Sequence, residues 1–70
     1  MPKTKSLHER LFGAAVLKMS FRLRDAETSP AFTGIYPGVL RDLRLEDAEV
    51  DRFIEEHRAE VEAAARGAPP

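Results

Sequence analysis

The chain contains no cysteine and no tryptophan. Without thiols it has no disulfide, no thiolate metal site and no thiol nucleophile. A chain of 70 residues buries only ~60% of the surface its unfolded form exposes, so packing and association must supply what disulfides would otherwise provide. Long apolar runs are missing as well. The longest, "LFGAAVL" at 11–17, falls far short of the ~20 residues that cross a bilayer, and Lys18 follows it directly with no small-residue cleavage site after it. A cytoplasmic protein with no membrane contact is the expectation.

Patterns that carry chemistry are missing too. His8 and His57 each lack a second histidine at i+3 or i+4, and "HER" at 8–10 lacks the second half of H-E-x-x-H. The four glycines form no phosphate-cradling loop, and the acids between Asp42 and Glu62 form no D-x-D-x-D-G loop. The expectation is therefore no catalytic residue, no metal, no cofactor and no small-molecule substrate. His57 falls on an apolar face, as a core-edge histidine does; His8, near a helix start, reads as solvated.

What is present is charge, unevenly spread. Residues 1–35 carry six Lys/Arg against three acids, and residues 36–70 carry nine acids against five arginines, although the net charge is only −1. Halves of opposite sign favour packing on one another. The organisation expected is a mobile basic arm at 1–5, a single small domain at 6–67 and a tail at 68–70.

Ser6 followed by Glu9 is a capping box, S-x-x-E, so a helix starts near Leu7. Its extent is ambiguous. At 100° per residue Phe12, Val16, Met19 and Leu23 form one apolar stripe, while Leu7, Ala14, Leu17 and Phe21 form a second, with Lys18 and Arg22 on a ridge between them. At period two, the segment "LKMSFRLR" at 17–24 alternates perfectly and puts Lys18, Ser20, Arg22 and Arg24 on one face, as an amphipathic strand does. That segment holds no β-branched residue, which favours the helix.

"DAETSPAFTGIYPG" at 25–38 holds two prolines and two glycines and reads as an ordered loop. In that reading Pro37 opens a short helix over about 38–44, and Phe32, Ile35 and Tyr36 plug the end of the core. The last segment is the clearest. Val50, Phe53, Ile54, His57, Val61 and Ala64 recur on one helical face, Leu45 and Val50 have the spacing of a hydrophobic staple about Glu46, and Gly67 follows the last turn.

The fold expected from these elements is all-α: an antiparallel helical hairpin of about 7–24 and 46–66, with the loop and short helix between. The first stripe of helix one and Val50, Phe53, Ile54 and Val61 of the last helix would make the core. The second stripe, Leu7, Ala14, Leu17 and Phe21, would be left for a partner. The corresponding function is a small non-enzymatic protein–protein association module, a homodimer or an accessory subunit of a larger complex.

The alternative fold is α+β with a strand at 17–24. In that reading the stretch resembles the DNA-reading strand of ribbon-helix-helix repressors and of antitoxins built on them, which implies a dimer presenting Lys18, Ser20, Arg22 and Arg24 to a major groove. The likeness ends at Arg24. That family passes almost directly from strand to helix, where this chain has Pro30, Gly34, Pro37 and Gly38.

Overall fold

The structure, a computed structural model, describes residues 6–67; the expected basic arm and tail lie outside them. The protein is all-α, with α1 at Leu7–Leu23, α2 at Pro30–Leu43, α3 at Asp47–Glu56 and α4 at Arg58–Ala65. Among the described residues there is no strand, so the alternation at 17–24 does not express itself. Helix propensity wins there because a strand needs a pairing partner and none is present among the described residues.

Helix α1 begins as its capping box dictates. The Ser6 hydroxyl accepts from the Glu9 amide and the Glu9 carboxylate accepts from the Ser6 amide, both at 3.1 Å. It ends in a Schellman turn, in which the Asp25 amide donates to the Arg22 carbonyl at 3.0 Å and the Ala26 amide to the Phe21 carbonyl at 2.8 Å. Asp25 takes the left-handed conformation this turn requires, with φ 54°.

The segment read as a loop is instead mostly helix. Ser29 is extended, the conformation favoured before proline, and its hydroxyl accepts from the Phe32 amide at 3.2 Å. Pro30 therefore occupies the first helical position, where its missing N–H costs nothing. Helix α2 then runs through Gly34, Pro37 and Gly38, so the short helix expected at 38–44 is the second half of a 14-residue one.

An interior proline costs ~3 kcal/mol. The Thr33 carbonyl loses its donor, but Thr33 and Pro37 are both exposed, so solvent can meet it. Burying Phe32 and Tyr36, at ~1.5–3 kcal/mol for a large apolar side chain, offsets the rest. Tyr36 is helical despite preceding a proline. Ile35, expected in the core plug, is 50% exposed, because Phe32 and Tyr36 are one turn apart on the inner face and Ile35 falls outside it.

Helix α2 closes in a second Schellman turn with Arg44 left-handed at φ 57°; the Arg44 amide reaches the Arg41 carbonyl at 3.2 Å and the Leu45 amide the Leu40 carbonyl at 2.9 Å. Leu45 is thus both the residue after one helix's cap and the staple residue before the next. It and Val50 are both buried. The Glu46 amide donates to the Glu49 carboxylate at 3.0 Å, opening α3 as its sequence suggests.

The single helix expected over 46–66 is broken at His57, whose φ of −128° and ψ of 35° leave the helical region. No proline or glycine causes this. On either side of the break α3 and α4 each pack against α1. Consequently the two-helix hairpin gives way to a central α1 that packs against α2, α3 and α4 alike. Met19, Val50, Ile54 and Val61 are the largest fully buried side chains, with Phe53 beside them.

Candidate functional site

Enclosure of α1 on three sides decides where the expected interface residues lie. Ala14 is completely buried within the chain, and Leu17 and Phe21 are half-buried against the core. The Phe21 ring lies 5.0 Å from that of Phe32, so α2 covers the second stripe. Of that stripe only Leu7 stays open, at 50% exposure. The assignment of Ala14, Leu17 and Phe21 to a partner interface is therefore corrected: Ala14 is closed off inside the chain, Leu17 packs on the chain's own core and Phe21 meets Phe32 of α2. In the first stripe Met19 is buried and Phe12 and Val16 are half-buried, but Leu23, expected in the core, is 41% exposed because α1 terminates there.

The ridge between the stripes meets the junction of α2 and α3. Lys18 is buried, and its ammonium donates to Asp47 Oδ1 at 2.8 Å and to Asp51 Oδ1 at 2.6 Å, one helical turn apart on α3. The Tyr36 hydroxyl donates to the same Asp47 oxygen at 2.7 Å, and the Lys18 ammonium lies 5.5 Å from the Tyr36 ring centroid. Arg22 extends the cluster, donating to Glu27 at 3.0 Å and lying 3.8 Å from Asp51.

The electrostatics are those of a clasp. Burial opposes the charge on Lys18, but its hydrogen bonds to Asp47 and Asp51 and their charges outweigh that, so its pKa is raised. Burial, followed by the bond to Asp47, raises that of Tyr36 as well. Asp47 is pushed down by its bonds from Lys18 and Tyr36 against a smaller effect of burial. An amine held protonated and a phenol held neutral are poor nucleophiles and bases.

The same cluster removes the expected reading face. Lys18 is buried, the Ser20 hydroxyl donates back to the Val16 carbonyl at 2.8 Å, Arg22 is paired, and Arg24 alone is exposed, at the end of the helix. These four residues do not share a surface, since in a helix successive residues are 100° apart.

Two surfaces emerge that were not legible in the sequence. On α2 the segment Pro30–Leu40 carries no charge in a chain that is 33% charged, and its outer residues Ala31, Gly34, Ile35 and Pro37 are exposed. A Cβ added at Gly34 or Gly38 would meet nothing within 4 Å. The uncharged run was itself the available signal; reading it as a loop hid the face.

Beside the first half of α1, His8, Glu9, Phe12 and Gly13 line a groove of about 420 Å³ with Glu60 of α4. The two histidines, far apart in sequence, meet at its edge with ring centroids 5.4 Å apart, and both pack on Phe53, at 5.1 and 4.4 Å. His57 is half-buried and His8 exposed.

Among the described residues no group of three or more His, Asp or Glu is arranged to hold a metal ion, and no helix is long and apolar enough to cross a membrane. No family model matches the chain, and comparisons with curated proteins and with solved structures find no significant match.

Proposed function

We propose that the protein is a small, cytoplasmic, non-enzymatic association module that works as a homodimer, joined through the outer face of α2. The observation that carries this reading is the uncharged exterior of that helix from Pro30 to Leu40. Its exposed Ile35 and the flat ground at Gly34 and Gly38, one turn apart, suit close approach of a second helix, and a two-fold axis across α2 would pair the patch with itself. Neither glycine is required by the chain's own packing, yet each weakens the helix by ~1 kcal/mol relative to alanine. Dimerisation also relieves the thin core of so short a chain.

Sedimentation equilibrium over a wide concentration range tests this. The expected result is a monomer–dimer equilibrium that Ile35→Glu shifts to monomer with helicity unchanged by circular dichroism. A parent chain that stays monomeric at the highest concentrations overturns it.

A further inference from the structure

We propose that the groove between α1 and α4 receives an arginine side chain of a partner protein. The groove has an aromatic wall and an acidic rim. Phe12 and His8 line it, backed by Phe53, whose ring lies 6.3 Å from Phe12 and 5.1 Å from His8. Glu60 stands on the α4 side and Glu9 on the α1 side.

Glu60 is exposed, and no cation among the described residues pairs with it: Arg58 is engaged with Glu55 and Glu62, and Arg66 with Glu62. Glu9 is engaged in the cap of α1, accepting from the Ser6 amide through Oε1, so the carboxylate offered to a ligand is that of Glu60. Gly13, in the middle of α1, completes the wall. A Cβ there would meet nothing within 4 Å, so the fold does not require glycine, while the bare backbone lets a planar group lie close.

An aromatic wall beside a free carboxylate is the environment a guanidinium recognises, by stacking its face and directing paired N–H groups at the oxygens. An ammonium, a compact and strongly hydrated point charge, uses only the second of these. A free amino acid fits less well than a side chain within a protein, because its α-carboxylate would enter the field of Glu60. The ligand is thus an arginine on a neutral backbone.

The experiment is an amide-shift titration of the labelled full chain at one fixed, mildly alkaline pH. The probes are N-acetyl-L-arginine amide, the corresponding citrulline amide, which has the same shape without the charge, and free L-arginine. Saturable shifts centred on Gly13 and Glu60 are expected with the arginine amide, with weaker binding of free arginine and none of citrulline. Glu60→Gln should weaken the arginine amide by roughly two- to fivefold, the range of an exposed ion pair. Gly13→Leu, which fills the groove, should abolish binding at unchanged helicity; if that variant fails to fold, Glu60→Gln decides alone.

Equal binding of citrulline, or an unaltered response in Glu60→Gln, overturns the proposal. Repeating the titration in the monomeric Ile35→Glu background separates this groove from the α2 face, so either assignment can fail without the other.

Discussion

Lys18 is the residue on which the polar interior turns. Its ammonium is buried, whereas the side chains of Asp47 and Asp51 remain 54% and 49% exposed, and this asymmetry predicts unequal mutational costs. Lys18→Met removes the buried charge and leaves two carboxylates that water can reach, so a loss below ~1 kcal/mol is expected in urea denaturation. Replacing both Asp47 and Asp51 by alanine strands the buried ammonium and should cost ~3–5 kcal/mol.

The same group makes stability depend on pH at both ends. Asp47 is depressed in the folded state, so its contribution is complete above its ordinary value of 3.8 and is lost as the pH falls through the lower folded value. Lys18 and Tyr36 are raised, so theirs is complete below the ordinary values of 10.5 and 10.0 and is lost as the pH rises beyond them. Thermal melts should therefore give a flat midpoint near neutrality that falls on both the acid and the alkaline side. Lys18→Met should blunt the alkaline loss.

Among elements, α2 carries the most local conflict. It has a proline in its interior and ends on an arginine in the left-handed region, a conformation that costs an L-residue ~1–2 kcal/mol. Both features are offset only because α2 buries Phe32 and Tyr36 against α1. Pro37→Ala is expected to raise stability, by at most ~3 kcal/mol and by less to the extent that proline also restricts the unfolded chain. Arg44→Gly should raise it by ~1 kcal/mol, since glycine takes the same backbone conformation without strain. Each is read as a rise in melting temperature with the helical signal retained. The His57 break shows the converse: helical residues throughout, yet the helix stops, and α3 and α4 each pack on α1.

For the whole molecule, the consequence of a central α1 is that both its apolar stripes are structural. Leu17→Ala with Phe21→Ala would on a two-helix plan weaken only an outer contact. With both residues packed on the chain's own core, the pair should instead destabilise the monomer by a few kcal/mol, visible as a lowered denaturation midpoint at concentrations where no dimer forms. The middle of the second stripe is thereby taken up within the chain, while Leu7 and Leu23 at the two ends of α1 and Ile35 of α2 stay exposed.

Local signals decided the start of α1, the acidic opening of α3 and the apolar face of Val50, Phe53, Ile54 and Val61, because caps and 3.6-residue periodicity act within a few residues of themselves. The all-α class is favoured by the lack of β-branched residues in 17–24, but the strand reading of that segment stayed open in the sequence. What only the tertiary structure decided is whether prolines and glycines in 25–38 interrupt a helix, where 46–66 bends, and which stripe of α1 faces solvent. Each of these turns on a long-range gain, the burial of Phe32 and Tyr36, the wrapping of α4 on α1, the pairing of Lys18 with α3, that outweighs a local penalty of one to three kcal/mol. No window of neighbouring residues contains both sides of that balance.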